Sequence, residues 1–489
     1  MEADDRLPPG AWCAVVHRGR AAVEMRHGTA VECGDDEIFE GVWSSPFGDG
    51  RMWDAPVRMG TGLAVRDGDI VVTAPSHAYR AVAIGRQDDR LVISNSLAFV
   101  LAITGARPRV EVSRYHAQLF RSGQLPSREV TIRFPPRLAV RLLYLDRCVV
   151  DDELRLTRQR IDTRTPPRAL TDFAAYREHL TDVTAALTAN AVDGGRRAPF
   201  GLLASISRGY DSGASAAICR TAGWEEAVTL SGGDDDPDDG TVVGETLGYR
   251  VHRHDVDAWE TANPWPEAEF LAWCGPTALA RLAGFEPRVR HRVLSLGSYG
   301  DYVWGEPSTV VEPRFDKPFD LVPGVEALGE WELRNGSVAY HLPTIGAEDA
   351  RAVARLGESP AMDPWRLRRR YDRPLPRRIL EEAGVARDAF GVVKHQGSHI
   401  HAPYEMTDES RADFRRWLDE HRMPLRATAR DMFVRPAKVA HARVPDTVRD
   451  VAGRLVRPIT GGRRLRPTWE QGHLFHWAMA HVLPRYTLD

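Results

Sequence analysis

Residues 200–223 read FGLLASISRGYDSGASAAICRTAG. The run Phe200–Ser207 is apolar and ends in small residues, as a short buried strand would, and Gly213–Gly223 reads as a helix stopped by a glycine. Between them, Ser207-Arg208-Gly209-Tyr210-Asp211-Ser212 forms a strand-to-helix turn. Such a turn presents backbone N–H groups at the positive end of a helix, which suits an anion and here a pyrophosphate. Asp211 inside the turn would hold a divalent cation against the phosphates, because Mg²⁺ takes carboxylate and phosphate oxygens together. The alternative is that the serines only cap the helix.

The alternation continues on both sides. AVTLSGG (227–233) reads as a second strand running into a turn, GTVVGETLG (240–248) as a helix and YRVHRHDV (249–256) as a third strand. Upstream, Phe173, Tyr176, Leu180, Val183, Leu187 and Ala191 recur at helical spacing, so a helix starts near Thr171 or Asp172. Strands alternating with helices predict a doubly wound α/β parallel sheet whose ligands sit at the strands' carboxyl ends. From about Pro360 the composition is helical. The first part is different. AWCAVVH (11–17), GTGLAVR (60–66), DIVVTA (69–74), RAVAIG (80–85) and RLVISN (90–95) are short strands between turn residues, which predicts a layered or sandwich-like β domain. RQRIDTRTPPR (158–168) loses all periodicity and carries a proline pair. Two domains follow, 1–162 and 170–489, the size of chain that exceeds one core.

Composition narrows the function classes. The chain of 489 residues has 43% hydrophobic and 27% charged residues and a net charge of -3, so no global basic field awaits nucleic acid. No stretch approaches the roughly 20 apolar residues that span a bilayer, and the start MEADDRLPPG is not a signal peptide, so a cytoplasmic protein without a membrane partner is expected. Five scattered cysteines suit neither a disulfide framework nor a CxxC zinc site. His395, His399 and His401 lack the further ligands zinc needs, and the acidic run Asp234–Asp239 reads as a solvated loop. Basic charge is nearly all arginine; Lys317, Lys394 and Lys438 are the only lysines. A lysine kept amid that bias is a candidate for chemistry a guanidinium cannot perform.

The hexamer 207–212 resembles the SGGxDS pyrophosphate loop of the N-type ATP pyrophosphatases, and Ser231-Gly232 resembles their adenine-side loop. VLSLGSYGDYVWG (293–305) is similar to the second conserved segment of the asparagine synthetase and β-lactam synthetase family, with Gly297, Asp301 and Gly305 on the motif positions. DIVVTAPSHAYRAVAIGRQDDRLVISNSLAFVLAITG (69–105) resembles the end of that family's glutamine-hydrolysing domain. The resemblance implies an α+β, Ntn-like β-sandwich domain followed by an α/β synthetase domain. It also implies ATP and Mg²⁺ as cofactors, with the metal on Asp211 and Asp301 and the nucleotide on Ser207, Arg208, Gly209, Asp211, Ser212, Ser231, Gly232 and Gly297. The expected activity is an AMP-forming carbon–nitrogen ligase of specialised biosynthesis, acting on a small-molecule or peptide carboxylate and an amine. A carrier protein is a further candidate partner, and a homodimer one option for assembly.

Three positions depart from the family. Glu2 stands where a working glutaminase has its cysteine nucleophile, so the first domain is expected to be structural and the nitrogen to come from an amine or free ammonia. Arg208 replaces a glycine and either blocks the triphosphate or binds it as a catalytic cation. Tyr302 replaces a glutamate beside the metal. In RRILEEAGVARDAFGVVKHQGSHIH (377–401), Lys394 precedes a HEGS-like run and sits three residues later than the family's catalytic lysine; it is either that lysine or a surface residue. Tyr299 lies next to the place of the catalytic tyrosine of β-lactam synthetases, with core or rim packing as the alternative. Two other readings stay open. One is adenylation of a carbonyl oxygen for sulfur or nitrogen insertion, which wants a reactive thiol, with Cys219 and Cys274 the candidates; the other is a non-catalytic binding protein.

Overall fold

The computed structural model describes residues 3–19, 23–49, 52–107, 129–134, 138–233, 238–272, 277–305, 328–369, 371–391, 398–403, 405–423 and 469–487. Its first part is two antiparallel sheets. β1 (Trp12–His17), β2 (Val23–His27), β7 (Val82–Gln87), β8 (Arg90–Ser94), β9 (Glu129–Phe134) and β10 (Leu138–Leu143) form one, in the order β2-β1-β8-β7-β10-β9. The other has the order β12-β11-β6-β5-β4-β3, from β3 (Glu32–Cys33), β4 (Glu37–Trp43), β5 (Arg58–Arg66), β6 (Asp69–Thr73), β11 (Arg147–Val150) and β12 (Leu156–Gln159). The five runs expected to be strands are β1, β5, β6, β7 and β8.

Side-chain alternation builds the layers. Trp12, Ala14 and Val16 of β1 point one way and pack with Leu63 of β5 and Val72 of β6 between the two sheets. Cys13, on the opposite face, belongs to the larger core that also takes in Phe99 and Leu101 of α1 (Leu97–Thr104). Ser96 caps that helix by accepting from the Phe99 N–H, and Gly105 ends it in the left-handed region at φ 64°.

After β12 one 3₁₀ turn at Pro167–Leu170 leads into α2 (Phe173–Ala191), capped by Asp172, whose Oδ1 accepts from the Ala175 N–H at 2.9 Å. β13 (Gly201–Ser205) then opens a five-stranded sheet with β14 (Glu226–Ser231), β15 (Arg250–Asp255), β17 (Arg292–Leu296) and β18 (Val338–His341) in the order β15-β14-β13-β17-β18. Every pair in it is parallel. The chain steps outward from β13 to β15, then returns to lay β17 on the other side of β13. The strand order therefore reverses between β13 and β17, which opens a crevice at their carboxyl ends. β18 was not expected from the sequence. A small ribbon pairs β16 (Thr277–Ala278) with β19 (Ile400–His401).

The two halves share one packed seam. Gly10 N–H donates to the Leu333 carbonyl at 2.8 Å, Ser96 Oγ to Glu330 at 2.8 Å, and Asn190 Nδ2 to the Ser45 carbonyl at 2.9 Å. Deepest is Arg80, which bonds Glu40 at 2.5 Å and Glu332 at 3.1 Å, all three side chains 5% exposed or less. Glu332 also accepts from the Ala339 N–H at 2.9 Å, so this arginine ties the antiparallel half to β18. Among the described residues no helix is long and apolar enough to cross a membrane.

Candidate active site

The turn after β13 meets the start of α3 (Tyr210–Thr221). Ser207 and Ser212 close it on themselves: their hydroxyls lie 2.8 Å apart, the Ser207 N–H donates to Ser212 Oγ at 3.1 Å, and the Gly209 N–H donates to Ser207 Oγ at 3.1 Å. Gly209 precedes the helix and no side chain caps it. The serines therefore shape the loop, and the capping alternative is not what the structure adopts. The first N–H groups of α3 have no intrahelical acceptor by the geometry of any helix start.

The turn after β17 touches this loop directly. A Cβ on Gly297 would come within 2.3 Å of the Ser212 nitrogen, and one on Gly300 within 2.3 Å of Asp211 Cγ. Only glycines permit that approach. It brings Asp211 and Asp301 onto one group, the guanidinium of Arg373, at 2.5 Å from Asp211 Oδ2 and in a short contact with Asp301 Oδ1. Arg373 is 8% exposed, Asp211 18% and Asp301 36%. Asp211 Oδ1 is buried with no hydrogen-bond partner. Arg373 leads into α5, counting α4 as Thr241–Thr246 and α5 as Pro374–Glu382, and its guanidinium lies 5.3 Å from the Tyr371 ring centre. Sequence reading passed over Arg373, because nothing distinguishes it from the other arginines of RLRRRYDRPLPRR (366–378).

The remaining candidates divide. The Arg208 guanidinium lies on the Asp388–Ala389 turn, its Nε donating to the Ala389 carbonyl at 3.0 Å, and its own carbonyl accepts from the Gly391 N–H at 2.8 Å. It braces the loop against the segment that leads to Lys394. Gly391 needs its lack of side chain, since a Cβ would fall 2.4 Å from the Tyr210 ring. Ser231 hydrogen-bonds the Gly233 carbonyl at 3.0 Å and accepts from Arg253 at 3.0 Å, which shapes the 231–233 turn next to Gly232. Tyr299, in the left-handed region at φ 81°, stacks on Tyr302 at 4.9 Å and is partly buried against the core.

One reading needs correction. Asp239, placed in a solvated acidic loop, accepts from Thr241 N–H at 2.8 Å and pairs with Arg253 at 2.9 Å. Burial raises its pKa, but these hydrogen bonds and Arg253 outweigh burial and leave it below the usual carboxylate value. It is a structural anchor of the β14 turn. Residues 234–237 of the acidic run lie outside the described residues, as do Glu2, Cys274, Lys317, Lys394, His395, Gln396, Gly397 and Lys438. Cys13 is buried in β1, and burial pushes its thiol far above the usual value, so it offers no nucleophile in place of an N-terminal cysteine.

Among the described residues no group of three or more His, Cys, Asp or Glu could hold a metal by itself. Two carboxylates with one orphaned buried oxygen fit Mg²⁺ all the same, since that ion is usually held by one or two carboxylates, water and substrate phosphates. No protein-family model matches the chain, and no curated protein matches it.

Proposed function

We propose that this chain is an ATP-dependent ligase that forms AMP and pyrophosphate, adenylating a substrate carboxylate and passing the acyl group to an amine to give an amide. When both groups belong to one molecule the product is a ring. The observation that carries this reading is the convergence of Asp211 and Asp301 on a single cation, from the carboxyl ends of β13 and β17, beside an uncapped helix start. It agrees with the resemblance of 207–212 and 293–305 to the pyrophosphatase loops of asparagine and β-lactam synthetases, and with a first half built from two antiparallel sheets.

The chemistry follows from the groups present. The start of α3 offers N–H donors to the phosphates, with Ser207, Gly209 and Ser212 holding the loop in shape and Arg208 bracing it. Asp211 and Asp301 would hold Mg²⁺, which supplies neutralisation of phosphate charge when bound. Arg373, a planar fork with its charge between the two loops, suits the phosphate oxygens that arrive there. Ser231 and Gly232 border the adenine side. Adenylation turns carboxylate oxygen into a good leaving group, so the amine meets an activated acyl centre. Lys394, three residues beyond the Gly391 contact with the loop, supplies a compact ammonium for the charge that grows during that attack.

The sulfur-insertion reading is weaker. Burial raises the Cys219 thiol to about 12, and its Sγ donates to Ser295 Oγ at 3.3 Å, so it offers no reactive thiolate. The test is isotopic: with candidate carboxylates labelled by ¹⁸O, the label appears in AMP if the carboxylate is adenylated. Product formation with unlabelled AMP would contradict the proposal.

A further inference from the structure

Arg373 directly precedes Pro374, the first residue of α5, and its backbone is extended at φ -138°. The helix is pinned against α3: Arg377, one turn on and fully buried, donates to the Tyr210 hydroxyl, and a Cβ on Gly213 would meet Leu380 at 3.2 Å. The base of the Arg373 side chain is therefore fixed, and its long arm reaches to the carboxyl ends of β13 and β17. Among the described residues its hydrogen bonds go to Asp211 and Asp301 alone, one terminal nitrogen to each. Arg58, which serves the fold, binds backbone instead: its guanidinium donates to the carbonyls of Ala74 at 3.1 Å and Leu145 at 2.8 Å, and to that of Ala55.

The three charged groups differ in their freedom to move. Asp211 is packed tightly against Gly300, where a Cβ would fall 2.3 Å from its Cγ. The arginine arm has several rotatable bonds and no backbone partner to give up. A divalent cation such as Mg²⁺ that takes both carboxylates is surrounded by oxygen ligands, so it and the guanidinium cannot hold the same two groups. Once released, the arm carries a planar fork that matches phosphate oxygens as well as it matches carboxylate.

We propose that Arg373 competes with a divalent cation for Asp211 and Asp301, and that it exchanges these carboxylates for the phosphates of the incoming nucleotide, so that metal and nucleotide each tighten the binding of the other. Metal on its own must displace the guanidinium and leave it without a partner at a position where Arg373 is 8% exposed. With nucleotide present, the phosphates receive it. The coupling is reciprocal: the factor that nucleotide adds to metal affinity is the factor that metal adds to nucleotide affinity. The phosphate half of this statement rests on the ligase reading; the competition for the two carboxylates rests on the contacts of Arg373 alone.

The test uses the full chain, with Mn²⁺ as a spin probe followed by electron paramagnetic resonance, and α,β-methylene-ATP followed by calorimetry in Mg²⁺. Arg373→Gln, which keeps a polar side chain and removes the charge, should bind Mn²⁺ alone about tenfold more tightly than the wild type, the scale of one charged hydrogen-bonding group no longer in competition. It should bind the nucleotide about tenfold less tightly, for the same reason at the phosphates. Adding Asp301→Asn to Arg373→Gln should abolish the gain in Mn²⁺ affinity, and Arg373→Lys, which keeps the charge without the fork, should lie between wild type and Arg373→Gln. The opposite signs are the signature, since loss of an arginine with a purely structural task would weaken both. Unchanged or weaker Mn²⁺ binding by Arg373→Gln would overturn the competition, and unchanged nucleotide affinity would overturn the exchange; Mg²⁺-dependent nucleotide binding by the wild type would leave the ligase reading standing in either case. A gain in Mn²⁺ affinity with no nucleotide binding by the wild type would support the competition and count against the ligase.

Discussion

Arg80 and Arg373 each sit between two carboxylates, and their surroundings set them apart. Arg80 lies in the seam with Glu40 and Glu332, no member more than 5% exposed, and Glu332 has a further backbone donor in Ala339. Burial works against the Arg80 charge, and Glu332 and Glu40 overcome it, so its pKa lies above the usual arginine value. Arg373 lies at the sheet's carboxyl edge, where Asp301 is 36% exposed and one Asp211 oxygen has no partner. A triad that is sealed and paired holds structure together. One that is open on one side and leaves an oxygen unused has capacity left for a ligand.

Removing each arginine separates these roles. Arg80→Ala leaves two carboxylates buried without their cation, a loss of about 3–5 kcal/mol, and should lower the urea midpoint steeply or prevent folding. Arg373→Ala leaves Asp301 open to water but Asp211 with one buried oxygen, so its stability cost should be smaller, about 1–3 kcal/mol. Equal losses in the two variants would mean that both triads are structural.

The seam also predicts a pH dependence. His341 is buried and held neutral, its pKa lowered to about 3, while the unfolded chain takes up a proton near its ordinary value of about 6.5. Below that value the unfolded state binds more protons, so stability is lost as pH falls from about 6.5 toward 3, at up to about 1.4 kcal/mol per pH unit. Urea titrations at pH 6.5 and 5.5 should show a drop in the wild type larger by about 1 kcal/mol than the drop in His341→Phe. The same drop in both would show that this imidazole is already charged in the fold.

Much of the architecture was legible because it depends on local pattern. Alternation gave β1 and β5 to β8, helical spacing with Asp172 gave α2, and the small-residue turn gave the β13–α3 junction. The glycines of 297–300 were legible as a motif, and the structure supplies their physical reason, the close approach to Asp211 and Ser212. β18 was not legible: four buried residues show neither alternation nor length. Arg373 was hidden among arginines, and the Tyr79–His341 contact joins residues that meet only through the seam and the sheet register. Asp239 misled because a carboxylate that anchors a turn looks, in sequence, like the solvated acids beside it.

The most direct test of the central claim is calorimetric binding of α,β-methylene-ATP, whose α–β bond resists cleavage, to the wild type, Asp211→Asn and Asp301→Asn, with and without Mg²⁺. A metal shared by Asp211 and Asp301 predicts Mg²⁺-dependent binding by the wild type and a loss of roughly a hundredfold or more in each variant, with circular dichroism unchanged, because it needs both carboxylate charges. Full-strength binding by either variant, or no binding by the wild type, would contradict it.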